Sequence, residues 1–365
     1  MDIDVRYNRL LIFDGSFVLH RALSVPNNWD MRTSYGKRTG GIFASLRTFL
    51  KEIKMFNYCP VVVYDGGLSK RRLDIFPNYK RTLDKQELYE SDHILTEEEQ
   101  MELEFRREYN TQRNDIIPLL RDLGIPVINI KDWEGDDIIY ILSKLSKDSI
   151  IVSEDRDLIQ LVSNSNRRCR IRRPIREELI DINYLQEHNI DLDSYVACKA
   201  ICGDNSDNIP SACFQVGEKT APGLYKLYVE SKNNFPKTEE ALTKLCKNTS
   251  IPKRKAYLNF NEEQFLNNVL LMDLRFVDNY IDNTLLNEIT AEIDTSLINT
   301  QGIEDLLSRF EITSFNTKEL IDKVKVLSDF KKLNFDTSNI KDINKIIPGE
   351  NCSYNSVSAM LFLNN

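Results

Sequence analysis

Along residues 8–163, short dense apolar runs alternate with longer segments of helical spacing, and four of the runs close on acidic side chains. LLIFDG ends at Asp14, VVVYDG at Asp65, VINIKDWEGDD at Glu134, Asp136 and Asp137, and SIIVSEDRD at Asp155 and Asp157. Runs this rich in Ile and Val predict buried strands, and their alternation with helical segments predicts a parallel sheet with crossover helices. Ile138, Ile141, Leu142 and Leu145 recur at helical spacing, which places Glu134, Asp136 and Asp137 at a helix N-terminus, where the helix dipole offsets part of their mutual repulsion. The carboxyl ends of parallel strands face one crevice, so carboxylates far apart in sequence are expected to converge there. A fifth acidic group, Asp204 and Asp207 in CGDNSDNIP, follows.

Between the second and third runs lies a long insertion, 66–124. Its second half opens on Thr96 and Glu99, a capping box before a helix that runs to Gly124. Its first half is basic and aromatic and is interrupted by Pro77. A loop of that length beginning directly after Asp65 is expected to be functional. Residues 191–230 read as helix, tight loop and helix, residues from about 233 to 332 as polar helices, and the segment from Leu333 onward has weak periodicity. No internal repeat is found.

Composition is that of a globular chain: 365 residues, 41% hydrophobic and 28% charged. No apolar run approaches the roughly 20 residues of a membrane span, and the N-terminus lacks a signal-like pattern, so a cytoplasmic location is expected. The seven cysteines (59, 169, 198, 202, 213, 246 and 352) form no framework and read as reduced thiols. The net charge of −8 argues at first sight against nucleic acid, but without the nine named carboxylates the remainder is about +1. Lys70, Arg71, Arg72, Lys80, Arg81 and Lys85 face only Asp74 and Asp84 within 68–85, a local +4, and six arginines (167, 168, 170, 172, 173 and 176) fall in RRCRIRRPIR with no acid among them. Both patches are expected to meet phosphates.

A lone Asp at a strand end is most often a turn former or helix cap; the conjunction of EGDD, SEDRD and GDNSDN carries the argument. Carboxylates gathered without partners raise one another's pKa, so cations are expected among them, and an oxygen-only set without His or Cys suits Mg²⁺ or Mn²⁺. Cys198, Cys202 and Cys213 fit no common zinc spacing and read as core thiols, Trp133 reads as packing, and His20, His93 and His188 are dispersed.

The order IFDG, YDG, RLDIFPNYKR, EGDDI, SEDRDLIQL, KAICGDNSDNIP and VGEKTA resembles the 5′-nuclease superfamily, the flap endonucleases and 5′→3′ exonucleases. It is most similar to the bacteriophage members, including the phage RNase H type, over about residues 8–280. The resemblance implies an α/β fold with a mostly parallel central sheet flanked by helices. It places a catalytic core at 1–190 with a helical arch at about 66–96, a helix-hairpin-helix-like duplex-binding region at 191–332, and an extension of unknown role at 333–365. It further implies one metal centre near Asp14, Asp65, Glu134 and Asp136 and a second near Asp137, Asp155, Asp157, Asp204 and Asp207, some contacts passing through water. Two Mg²⁺ ions would occupy them, and Mn²⁺ would substitute.

Lys80 matches the family's basic residue at the base of the arch, facing the scissile phosphate, and Arg72 a second; Lys70, Arg71, Arg81 and Lys85 would add contacts to nucleic acid. Gly217, Lys219 and Lys226 would grip duplex backbone, in the family often around a carbonyl-held K⁺. Here Gln215, Val216 and Gly217 replace a two-glycine turn, which puts K⁺ in doubt, and Arg156 replaces a usually small residue. The expected partner is DNA or RNA–DNA with a 5′ single-stranded end or flap, bound by a monomer in the cytoplasm, the host's if the chain is phage-encoded. A replication protein would dock on the C-terminal extension. Three competing readings are a nucleotide phosphatase, which would show an Asp-x-Asp loop where Asp14 is followed by Gly15 and Ser16, a toxin-like ribonuclease, which would lack the arch, and a non-catalytic junction-binding protein, which could lose carboxylates.

Overall fold

The structure, a computed structural model, describes residues 9–80, 96–165, 167–231, 238, 256–294 and 297–325. Arg81, Lys85 and the segment from Leu333 lie outside them. The chain forms two compact units: Met1–Gly67, Gln86–Ile182 and Tyr280–Asn339 in one, and Leu68–Lys85, Asn183–Asn279 and Ile340–Asn365 in the other.

The first unit is built on a sheet of seven strands, β1 (Arg9–Asp14), β2 (Cys59–Val63), β3 (Val127–Ile128), β4 (Asp148–Val152), β5 (Ser163–Asn164), β6 (Arg168–Arg173) and β7 (Glu178–Ile180). The order is β3-β2-β1-β4-β6-β5, with β7 also on β6; β1, β2, β3, β4 and β6 run parallel and the short β5 and β7 antiparallel. Leu10 to Phe13 and Val61 to Val63 are almost completely buried, as strands covered on both faces require. Helices Gly15–Leu23, Gly40–Phe56 and Glu97–Asp122 pack apolar faces into that core, where the Phe13 and Phe49 rings meet edge-on at 5.0 Å. The Thr96–Glu99 capping box is present: the Glu99 N–H donates to Thr96 Oγ1 at 3.3 Å, and the Thr96 N–H donates to Glu99 Oε2 at 2.8 Å. Gly124, at φ 75, follows the helix as expected.

Two features differ from the sequence pattern. β3 is two residues long rather than a strand reaching Glu134, because Asp132 adopts φ 65 and the chain turns, with backbone bonds between Gly66 and both Asp132 and Trp133 instead of a ladder. The division into units also does not follow the expected boundary at 190/191. Ile303, Leu307, Phe310, Ile312, Leu320 and Val324, which read as part of a polar helical region, belong to the core of the sheet unit.

The second unit is helical. Helices Leu192–Cys202, Ala221–Glu230 and Glu262–Met272 enclose Tyr228, Phe260 and Phe265, whose ring centroids lie 5.2–5.6 Å apart. The buried Asn268 side chain donates to the Ala200 carbonyl at 2.7 Å and the Pro210 carbonyl at 2.8 Å, so it satisfies itself while tying the CGDNSDNIP loop to the helices. That loop closes on itself through reciprocal backbone bonds of Asp204 and Ile209, at 2.8 and 2.7 Å. Gly203, at φ 72, starts it; a Cβ there would sit 2.6 Å from the Ile209 carbonyl oxygen.

Candidate active site

Sheet register assembles the acidic crest. β1 pairs Phe13 with Val152 on one side and Asp14 with Val63 on the other, so Asp14, Asp65 and Ser153 emerge at one end of the sheet. β1 is also where strand order reverses, β2 and β3 lying to one side and β4 to the other, which is the usual ligand position of such sheets. Asp14 caps the helix Gly15–Leu23, its Oδ1 accepting from the Phe17 N–H at 2.8 Å, while its Oδ2 accepts from Ser153 Oγ at 2.8 Å. Gly15 permits this turn: a Cβ would lie 2.7 Å from Val62 and 2.9 Å from the Val63 carbonyl oxygen.

Burial pushes the Asp14 carboxyl up to about 7 from an ordinary 3.8. The Phe17 and Ser153 hydrogen bonds oppose the rise, and the charges of Asp65 and Asp155 add to it. Asp65 is exposed, and its Oδ1 accepts the Gly135 N–H at 2.7 Å, at the start of the helix Gly135–Leu145. A Cβ on Gly135 would crowd that oxygen at 3.1 Å. Glu134 is the N-cap of this helix, with Asp136 half-buried and Asp137 fully buried in its first turn, as the periodicity predicts. The loop after β4 is ordered from within, since Ser153 Oγ accepts the Asp155 N–H at 3.0 Å and Asp155 Oδ1 accepts the Asp157 N–H at 2.7 Å. Among the described residues, no three acidic, His or Cys side chains are already grouped tightly enough to hold an ion.

Groups not singled out from the sequence border this crest. The Asp65 carbonyl accepts from Asn129 Nδ2 at 2.9 Å and from Arg113 Nη1 at 3.4 Å, and Ser16 Oγ accepts the Asp65 N–H at 3.2 Å. Burial pushes the Tyr109 hydroxyl up to about 12 against a hydrogen bond with Ser16, and Tyr64 is buried beside them. Tyr109 and Arg113 lie four apart on the helix Glu97–Asp122, a spacing that was legible, but no motif marked them.

Residues 9–189 match the family described as 5′-3′ exonuclease, N-terminal resolvase-like domain. A 5′-3′ exonuclease of Buchnera aphidicola is 26% identical over 268 residues, covering 69% of this chain and 84% of that protein. Residues 9–189 belong to that exonuclease domain family. DNA polymerase I of Lactococcus lactis is 28% identical over 266 residues, and the match spans only 28% of that polymerase. The chain also shares the fold of the T5 D15 protein co-crystallised with metal ions, with a TM-score of 0.55 and 20% identity over 87% of this chain and 99% of that one.

Within the helical unit, the expected basic residues separate by environment. Arg71 and Arg72 are buried rather than solvated, and their guanidinium groups donate to the carbonyls of Leu270 at 2.8 Å and Leu271 at 3.0 Å. They cap the C-terminal turn of the helix Glu262–Met272, where cations complement the dipole. Lys80 adopts φ 51; its N–H donates to the Asp207 carbonyl at 3.0 Å, and its Nζ lies 4.0 Å from Asp207 Oδ2, which also accepts from Tyr79 Oη at 3.2 Å. Asp204 Oδ1 accepts from the Ser206 N–H at 2.8 Å. Lys70, Gly217, Lys219 and Lys226 are exposed, and Lys226 lies 3.9 Å from Glu230. The left-handed residue of the hairpin is Gln215, at φ 66, where a glycine was expected to be lost. The Gly217 carbonyl is already engaged, accepting from the N–H groups of Thr220 and Ala221.

The second basic patch is corrected by the structure. β6 turns RRCRIRR into structural pairs: Arg168 and Arg170 meet Asp148, Arg172 meets Glu52 at 3.0 Å in the core, and Arg173 meets Glu154 at 3.0 Å and Glu178 at 3.4 Å. Burial alone would raise Asp148, but hydrogen bonds from Arg168 and Tyr58 and the Arg170 charge hold it below the usual range. Of the three cysteines read as core thiols, Cys213 is buried and donates to the Ala256 carbonyl, whereas Cys198 and Cys202 are half-buried; Cys59 and Cys169 are buried as well.

Proposed function

We propose that the chain is a 5′-nuclease that hydrolyses phosphodiesters at 5′ single-stranded ends or flaps of DNA and RNA–DNA duplexes, using divalent cations and selecting geometry rather than sequence. The observation that carries the reading is the sheet register that brings Asp14, Asp65 and the Ser153–Asp157 loop to one end of the sheet, where burial chiefly, and the charges of Asp65 and Asp155 in addition, push the Asp14 carboxyl up to about 7. Carboxylates from three segments share one end of the sheet, and a hard divalent cation, which oxygen donors suit, would draw them together. The donor set therefore fits Mg²⁺ or Mn²⁺, with Asp14, Asp65, Glu134 and Asp136 proposed around one ion and Asp137, Asp155 and Asp157 around a second. Held by these residues, such a pair would supply an activated water and electrostatic stabilisation of the attacking and leaving oxygens.

The residues' own work is to hold and orient. The helix Gly135–Leu145 aims its first N–H at Asp65, Ser153 bridges Asp14 to the Asp155 backbone, and the Asp14 carboxyl must be ionised to serve. Lys80, oriented by Asp207, would place positive charge against the developing phosphate charge. Lys219 and Lys226 would contact backbone phosphates of the duplex. K⁺ has no part in this scheme.

End-labelled DNA and RNA–DNA flaps, incubated with Mg²⁺ or with chelator, test the proposal through product lengths. Metal-dependent cutting near the junction is expected. Tight flap binding without products in any metal would instead make the chain a junction-binding protein.

A further inference from the structure

Resting on the metal-dependent reading above, we infer that Glu154 and Arg173 form a positioning pair that holds the Asp155–Asp157 loop in its ion-binding geometry. Glu154 sits between Ser153 and Asp155, yet its carboxylate is directed into a different set of donors. Its Oε2 accepts from Arg173 Nε at 3.0 Å, and Arg176 Nε approaches at 4.0 Å. Its Oε1 accepts the N–H of Ile175 at 2.8 Å and of Arg176 at 3.4 Å. The two side chains are 16% and 11% exposed, so the pair is largely withdrawn from solvent, where charge-assisted bonds weigh more than on the surface.

The consequence is geometric. Ser153 continues the β4–β6 ladder by donating its N–H to the Arg172 carbonyl at 3.1 Å, and Glu154 then fastens the next residue to the turn between β6 and β7. That turn is itself fixed, with Glu177 at φ 57 and Arg173 Nη1 reaching Glu178 at 3.4 Å. Asp155 therefore leaves the sheet from a residue anchored on both its backbone neighbour and its side chain. With three hydrogen bonds made to it and a second guanidinium at 4.0 Å, the Glu154 carboxylate is occupied as an anchor rather than offered as a ligand. Supporting groups of this kind set the orientation of the ligands they adjoin, and losing them commonly weakens metal binding about 10-fold or more.

The test is Mn²⁺ binding to the full chain, measured by the spin-resonance signal of free Mn²⁺, together with urea unfolding in chelator and cleavage titrated with Mg²⁺. Glu154→Gln keeps an acceptor for Ile175 but loses the ion pair, and Arg173→Lys keeps the charge but not the fork that serves both carboxylates. Each should weaken Mn²⁺ binding by about 10-fold and raise half-saturating Mg²⁺ similarly, with the cleavage rate at saturating metal largely kept. Glu178→Gln, at the outer end of the pair, should leave Mn²⁺ affinity within about two-fold. A lowered urea midpoint with unchanged Mn²⁺ affinity would make the pair merely structural and overturn the inference. Should Glu154→Gln fail to fold, the same comparison on Arg173→Lys decides. Absence of Mn²⁺ binding by the wild-type chain would instead sink the metal-dependent reading itself.

Discussion

Replacing Asp14 by Asn should stabilise the metal-free protein while abolishing cleavage. The Asp14 carboxyl titrates at about 7 in the folded chain against 3.8 when unperturbed. A folded value above the unfolded one means that the neutral carboxyl favours the fold: this stability is complete below the unfolded pKa and is lost as pH rises through the folded one. At about 1.4 kcal/mol per unit, the difference of roughly three units costs on the order of 4 kcal/mol at about pH 8. Asn still accepts from the Phe17 N–H, but its amide must face Ser153 Oγ, whose hydroxyl loses its acceptor at a cost of about 1 kcal/mol. The net expectation in chelator is a gain of roughly 3 kcal/mol at about pH 8 that shrinks to nothing or reverses near pH 4. Urea unfolding at the two pH values reads this directly. Saturating Mg²⁺ should narrow the gap, since metal stabilises only the chain that binds it. Equal or lower stability of the Asn variant in chelator at the higher pH would refute the picture of a carboxyl destabilised chiefly by its burial.

Asp155→Asn should remove most turnover while leaving flap binding within a few-fold, read by single-turnover cleavage beside a binding titration; near wild-type cutting in Mg²⁺ would count against the proposed ion site. Lys80→Ala should slow single-turnover cleavage far more than it weakens binding, whereas Lys219→Ala should weaken binding and reduce its salt slope by about one charge with chemistry intact at saturation. Equal effects of the two on both steps would end that division of labour. Glu52→Ala, which strands the Arg172 guanidinium in the core, should lower unfolding free energy by about 3–5 kcal/mol in urea, and a loss under about 1 kcal/mol would show that the pair is not desolvated.

The crest was readable because strand ends are written locally. Ile- and Val-rich runs fix where β1, β2 and β4 stop, and parallel pairing then brings Asp14, Asp65 and the Ser153–Asp157 loop to one side. Asp14 also obeys the ordinary reading of such a residue, capping a helix while it faces Asp65 and Asp155. What escaped is whatever depends on a distant partner. The arginines of β6 look like a phosphate patch until alternation along the strand turns Arg172 toward Glu52, 120 residues away. Arg71 and Arg72 read as phosphate contacts because the carbonyls they cap lie 199 residues further on. β3 ends early for a reason no propensity displays, the left-handed backbone of Asp132.

The late return of the chain to the sheet unit governs the order in which the protein can be completed during synthesis. By the time residues 9–182 have left the ribosome, all the strands among the described residues and seven of the nine carboxylates exist. The faces of Ile116, Leu120 and Phe49, however, still lack Ile303, Leu307, Phe310, Leu320 and Val324, which belong to the same core. Domains ordinarily fold as they emerge, N-terminal part first. Here the nascent sheet must wait, its apolar flank uncovered, while the helical unit is translated in between. A ribosome paused before residue 300 would therefore hold a chain with its acidic residues present and its core open, a species for chaperones rather than for catalysis.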